Sequence, residues 1–252
     1  MNIAAVHSAS APTASELRAH NVSVSFDGLH ALSDVGLSVR RHEIVGLIGP
    51  NGAGKTTLVN CLSGFQKPTK GRVLLDGKDT RSWSPDHFRR EGIARTFQAG
   101  RLFKDLTVHE NIEVTAVALG RSRRSAAAIA EEMLVRVDLA DKASRLASTL
   151  PYTDQRRLGI GRALALSPGF VLLDEPAAGM SEAECDSLMA LVASIPAVFG
   201  CGVLLIEHNM RVVMSVSNRI CVLDGGRLLA EGSPREIQQH EGVLAAYLGE
   251  DL

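Results

Sequence analysis

The sequence predicts an α/β fold: a mixed, mostly parallel sheet in the core, an antiparallel β layer at the N-terminus and an inserted α-helical subdomain. Three observations predict it. Residues 43–57 run from an apolar segment, EIVGLIG, into GPNGAGKTT. After residue 168, short apolar runs (FVLLD, GVLLIEH) alternate with helix-like stretches. Between these two parts, residues 108–148 carry helical rather than strand spacing. Alternating buried strands and helices are the pattern of a layered α/β core.

The chain has 252 residues, enough for one large domain with a subdomain. Apolar residues are 45% and charged residues 22%, values of an ordinary globular protein. The net charge is −1, so there is no global basic field to draw nucleic acid, and none is expected as a partner. No apolar run approaches the roughly 20 residues that span a bilayer. Residues 1–16, rich in Ala and Ser, read as a flexible tail without the basic start and apolar centre of a secretory signal. Cys61, Cys185, Cys201 and Cys221 form no C-x-x-C pair and read as buried or free thiols.

Residues 17–252 then read as a single domain. Val22, Val24 and Phe26, then Val35, Leu37 and Val39, fall two apart and predict two half-buried strands. EIVGLIG predicts a buried strand, and TTLVNCLSG a helix stopped by Gly64. GRVLLDG is another strand. Ser84 as N-cap and Pro85 as first helical residue open a helix that Gly92 ends. Ile129, Met133 and Val137 recur every four residues, so residues 108–148 read as a mainly helical insertion, part of a helical subdomain expected at about residues 99–165. RSRRS at 121–125 reads as a solvated turn or helix face. Ser181 with Glu184, and Ser233 with Glu236, are capping boxes that open two later helices. ICVLDGGRLLAEG predicts a hairpin turning at Asp224-Gly225-Gly226.

Gly49, Gly54, Lys55 and Thr56 satisfy G-x-x-x-x-G-K-[ST], and strand and helix flank the motif as a phosphate loop requires. The core is therefore expected to be of the P-loop NTPase type. Backbone N–H groups of Gly49, Pro50–Ala53 (proline excepted) and Gly54 can wrap phosphate oxygens, because glycines leave the approach open. The helix N-terminus beginning at Lys55, Thr56 and Thr57 adds free donors. Lys55 is expected to reach the β- and γ-phosphates of ATP, and the Thr56 hydroxyl to ligate Mg²⁺. Asp174 ends the apolar strand FVLLD and can complete the metal's oxygen shell. Glu175 follows as the base or water-positioning residue for attack on the γ-phosphate.

Phosphate loop, RTFQ, the segment LPYTDQ, LLDEP and LLIEH occur in the order found in the nucleotide-binding subunits of ATP-binding cassette (ABC) transporters, which residues 17–249 resemble. The resemblance implies that Phe26 stacks on adenine, that Gln98 senses Mg²⁺ and the γ-phosphate, and that His208 contacts the γ-phosphate and orders the attacking water. It also implies a dimer in which two ATP molecules are sandwiched head to tail, each between one subunit's phosphate loop and the other's signature segment.

The signature falls at Leu150, Pro151, Tyr152, Thr153, Asp154 and Gln155. Leu150, Tyr152 and Gln155 match the family; Pro151 stands at a frequent serine, and Thr153 at an expected glycine. Three readings compete: tolerated variation, a weakened signature, and a bare helix start. A Thr held in a glycine's positive-φ conformation would cost on the order of 1–2 kcal/mol, and the Asp154 charge would repel phosphate. On that reading one of the two ATP sites turns over slowly, and Thr153→Gly should raise the rate.

RTFQAGRLFKDLTVHENI, DEPAAGM, LLIEHNM and AYLGE further resemble the branched-chain amino acid importers of bacteria, in particular the longer of their two ATPase subunits. The resemblance implies a transport-coupled ATPase, peripheral on the cytoplasmic face of the cell membrane. Its implied partners are a second ATPase subunit, transmembrane permease subunits and, indirectly, a solute-binding protein. Leu102 and Phe103 are candidates to receive a permease helix. Urea-type importers, the lipopolysaccharide-export ATPase and a low-turnover nucleotide-gated module are the alternatives.

Overall fold

The computed structural model describes residues 15–96, 102–165 and 167–248. Strands β1 (Glu16–Phe26) and β2 (Leu29–Arg40) form an antiparallel hairpin, and β1 also pairs with β4 (Lys70–Leu75), which carries the short β5 (Lys78–Asp79). This gives a four-stranded sheet in the order β2-β1-β4-β5. The second sheet has six strands. It contains β3 (Ile44–Ile48), β6 (Ile93–Arg95), β7 (Phe170–Asp174), β8 (Gly202–Ile206), β9 (Arg219–Asp224) and β10 (Arg227–Gly232), in the order β10-β9-β3-β8-β7-β6. All its pairings are parallel except β9–β10.

The unbroken apolar runs follow from burial on both faces of the large sheet. Val45, Leu47, Leu172, Leu204 and Ile206 face a core shared with the small sheet and with α1 (Lys55–Leu62). Ile44, Val171, Leu173, Val203 and Leu205 face the opposite core, built largely by α6 (Glu182–Phe199) and the helical subdomain. That subdomain comprises α3 (Val108–Ala118), α4 (Arg123–Arg136) and α5 (Tyr152–Leu164). Met133 and Val137 of the four-residue repeat are buried, and Ile129 packs against the same core. A third cluster joins Ile48, Ile220 and Val222 to α7 (Met210–Val216), α8 (Pro234–Gln238) and α9 (Glu241–Leu248).

The element starts obey local chemistry. Ser84 accepts from the His87 amide and opens α2 (Pro85–Arg90). Both expected capping boxes are present at Ser181/Glu184 and Ser233/Glu236, and a third, Thr107/Glu110, opens α3. The β9–β10 hairpin turns through Gly225 and Gly226, both at positive φ (49° and 76°), as a two-residue type I′ loop needs. Gly226 also donates to Ala53 O and accepts from Ser33 N, so this turn touches both the phosphate loop and β2. RSRRS is exposed: Arg121 and Ser122 lie in the α3–α4 connection, with Ser122 capping α4, and Arg123–Ser125 form the helix's first turn. The four cysteines are buried and free.

Candidate functional site

Three adjacent parallel strands deliver the predicted residues to one edge. Leu47 of β3 pairs with Ile206 of β8, and Ile206 pairs with Asp174 of β7. The phosphate loop, the His208 segment and the Asp174-Glu175 pair therefore leave the sheet at the same level. The ladder continues past the strands: Glu207 donates to Leu47 O, and Glu175 to Ile206 O. The carboxyl edge of parallel strands is where α/β folds bind ligands.

In the phosphate loop, Gly49 has φ 149°, and a Cβ there would lie 2.1 Å from Leu223 O. Gly54, at φ 97°, is the N-cap of α1 and has no side chain to occupy the helix's free donors. Pro50, Gly54, Lys55 and Thr57 are half-buried, Ala53 is buried, and Asn51, Gly52 and Thr56 are exposed. The Lys55 ammonium donates to Gly49 O (2.6 Å) and Pro50 O (2.9 Å), which curls it over the loop it serves. Phe26 ends β1 with 47% of its surface exposed, outside the hydrophobic cores; a ring there is open to a planar base.

Asp174 is met by a residue the sequence did not single out. Arg95 of β6 donates to Asp174 Oδ2 at 2.8 Å, to Asn60 Oδ1 at 2.6 Å and to Ser63 Oγ at 3.3 Å. Its guanidinium also lies over the Phe65 ring. One carboxylate oxygen is thus fixed from the side of α1, which orients the other. Glu175 adopts φ 45°, a left-handed conformation that costs a non-glycine residue on the order of 1–3 kcal/mol and recurs at functional sites.

His208 is 60% exposed on its side chain, above the fully buried Glu207. Glu207 Oε1 accepts from the Ala177 amide at 2.7 Å, and Oε2 lies 4.0 Å from the His208 ring. Burial raises the Glu207 carboxyl above its usual range. This buried acid, also unforeseen, ties the loop after Glu175 to the loop of His208. Gln98 lies outside the described residues.

The signature segment corrects the sequence reading twice. Thr153 is not at positive φ; it lies in the first turn of α5, where any residue is at ease, so the expected strain is absent. Asp154 is not a bare charge either, since Lys142 Nζ pairs with it at 2.8 Å. The carboxylate in turn raises the Lys142 ammonium above its usual range. Leu150 is buried, Pro151 and Tyr152 are exposed, and Gln155 folds back to donate to Leu150 O. Tyr152 receives a bond from Arg156. The Thr153 hydroxyl donates to Glu184 Oε1 at 2.7 Å. That bond, with those from Ser181, holds the Glu184 carboxyl down at about 2.

A cavity of about 490 Å³ opens between α2, α3 and α5, with Phe103, Val114, Ala118 and Arg162 on its walls and Asp174 and Arg95 among its lining. The two candidate docking residues separate here. Leu102 packs into the helical core, whereas Phe103 is exposed under the Arg162 guanidinium.

The donor set fits a magnesium nucleotide. Open-backed glycines, a helix start and a lysine suit phosphates. Mg²⁺ takes hard oxygens, few of them from protein, which a threonine hydroxyl and one carboxylate satisfy. No cluster of three or more His, Cys, Asp or Glu residues able to hold a metal occurs among the described residues.

The profile of a family described as ABC transporter matches residues 32–178, and one described as branched-chain amino acid ATP-binding cassette transporter matches residues 227–252. The high-affinity branched-chain amino acid transport ATP-binding protein BraF of Pseudomonas aeruginosa is 42% identical, over 93% of this chain and 98% of its own. The ADP conformation of an ATP-binding cassette of an ABC transporter superposes with a TM-score of 0.84 at 30% identity, covering 94% of this chain and all of that one. A dimeric bacterial ABC transporter cassette gives 0.78 at 28% identity, over 87% and 99%. The chain belongs to the ABC transporter family, as one of its nucleotide-binding, transport-coupled ATPase subunits.

Proposed function

We propose that the chain hydrolyses MgATP in a closed two-cassette dimer and so drives import of branched-chain or other hydrophobic amino acids through a membrane permease. The observation that carries the chemistry is the shared sheet edge of β3, β8 and β7. Backbone donors of residues 49–57 and the Lys55 ammonium hold the phosphates. Thr56 and Asp174 hold the metal with Gln98, and Mg²⁺, when bound, neutralises charge on the phosphates. Glu175 takes the proton of the attacking water, and His208 orders that water against the γ-phosphate. Phe26 stacks on the base. Leu150–Gln155 close over the nucleotide of the other subunit, a second copy or a paralogous cassette.

The similarity to BraF and the family match at residues 227–252 support the cargo. Translocation falls to separate permease subunits, with this chain at their cytoplasmic face; no helix among the described residues is itself long and apolar enough to cross a membrane. The Phe103 cavity is the seat for a permease helix. The test is co-purification from detergent-solubilised membranes, followed by ATPase assay of the complex with and without Glu175→Gln. Recovery of a permease pair and a second cassette, with turnover lost in the variant, is expected. Recovery with ribosomes or DNA alone would overturn the proposal.

A further inference from the structure

Thr153 stands where the family signature is expected to carry glycine, and its hydroxyl has a definite partner. The Glu184 carboxylate serves two elements with one oxygen each. Oε1 accepts from Thr153 on α5 at 2.7 Å. Oε2 accepts from the Ser181 amide at 2.9 Å and its hydroxyl at 2.7 Å, at the start of α6. One turn further along both helices, Arg157 of α5 reaches Ser187 of α6, with Nη2 to Oγ at 2.6 Å. Two polar clamps therefore join α5 to α6 at matched positions. A glycine at 153 would leave only the second.

The two helix starts serve different ends. α5 begins in the segment proposed to close over the partner's nucleotide. α6 begins where the loop from Glu175 through Ala177 and Met180 ends, and Met180 N is bonded to Ala177 O within it. We propose that Thr153 and Glu184 are positioning residues, which make the signature segment move as one body with the Glu175 loop. Seating of the signature on one nucleotide is then relayed to the base that acts on the other. The inference rests on the dimeric ATPase reading above.

Thr153→Val keeps the shape and the Ser181 cap and removes only the clamp; Thr153→Ser restores it. In the isolated chain, Thr153→Val should speed amide hydrogen exchange in residues 178–186, the end of the Glu175 loop and the first turn of α6, which the backbone of α5 does not include, while Thr153→Ser exchanges as wild type. In the complex purified through this chain, Thr153→Val should lower kcat about fivefold with KM for ATP little changed, the scale of one net hydrogen bond. Thr153→Gly should lower it too, the reverse of what a strained or obstructive threonine predicts. In a Glu184→Ala background, Thr153→Val should add nothing. Unchanged exchange at 178–186, or a Thr153→Gly complex faster than wild type, overturns the clamp. Loss of the underlying ATPase reading shows separately, as turnover indifferent to Glu175→Gln, and leaves the exchange test in force.

Discussion

Replacing Arg95 with methionine should destabilise the protein out of proportion to the size of the change. The Arg95 side chain is 7% exposed and that of its partner Asp174 14%, so water can do little for the carboxylate once the guanidinium is gone. Methionine fills the aliphatic stem, which keeps the cavity small. What is lost is an ion-paired bond of 2.8 Å to Asp174 and bonds to the neutral acceptors Asn60 and Ser63. Removing one partner of a buried ion pair costs about 3–5 kcal/mol. For a chain of this length that lowers the melting temperature by about 6–20 °C. Urea unfolding followed by far-UV circular dichroism at neutral pH measures it. Arg95→Met/Asp174→Asn should recover part of the loss, because no buried charge is then left alone. A loss below about 1 kcal/mol, or two substitutions that simply add, would refute the claim that Arg95 anchors the site carboxylate.

Gly49→Ala should abolish binding of a fluorescent ATP analogue, since its Cβ would stand 2.1 Å from Leu223 O; binding near wild type would show that the loop yields. Glu207→Gln keeps an acceptor for Ala177 and removes a buried charge. Because burial raises the folded carboxyl above its unfolded value, the wild type loses stability as pH rises from the ordinary glutamate range through that raised value. The glutamine variant should therefore gain on wild type as urea midpoints are taken from pH 5 towards pH 8, and a constant difference would contradict this. Asn111, fully buried, bonds both backbone groups of Phe103 and the Thr107 carbonyl. Asn111→Ala should cost about 2–4 kcal/mol, measured by the same unfolding assay, and should weaken co-purification of the permease by loosening the wall that carries Phe103.

Local signals carried most of the fold. The capping boxes at Ser181 and Ser233 are four-residue patterns that a helix start reads without help from the rest of the chain. Thr107-Val108-His109-Glu110 has the same spacing and was equally readable. The phosphate loop, Asp174 and Glu175 are likewise legible, because strand, turn and helix around them are specified nearby. What escaped depends on which strands become neighbours. Arg95 reaches Asp174 across 79 residues, through the pairing of β6 with β7, and nothing in RTFQ alone marks its arginine as that partner. Glu207 precedes a histidine that draws all the notice, and its importance lies in the Ala177 amide 30 residues away. Thr153 was visible as a departure, but its cost was assigned from the conformational freedom of the glycine it replaces. α5 does not use that freedom, and the side chain's direction is set by α6.

The position of β3 in the large sheet has a consequence for how the chain is made. This strand leads directly into the phosphate loop, yet both its neighbours, β8 and β9, come from the far end of the sequence. Even the amide that starts it, Ile44 N, is taken by Asn218, 174 residues later. During synthesis the nucleotide loop emerges early and must wait, its strand unpaired on either side, until nearly the whole polypeptide has left the ribosome. Pairings this remote form slowly and leave bare strand edges exposed meanwhile. A chain cut short before β8 would thus carry every residue of the phosphate loop and have no sheet on which to hold it.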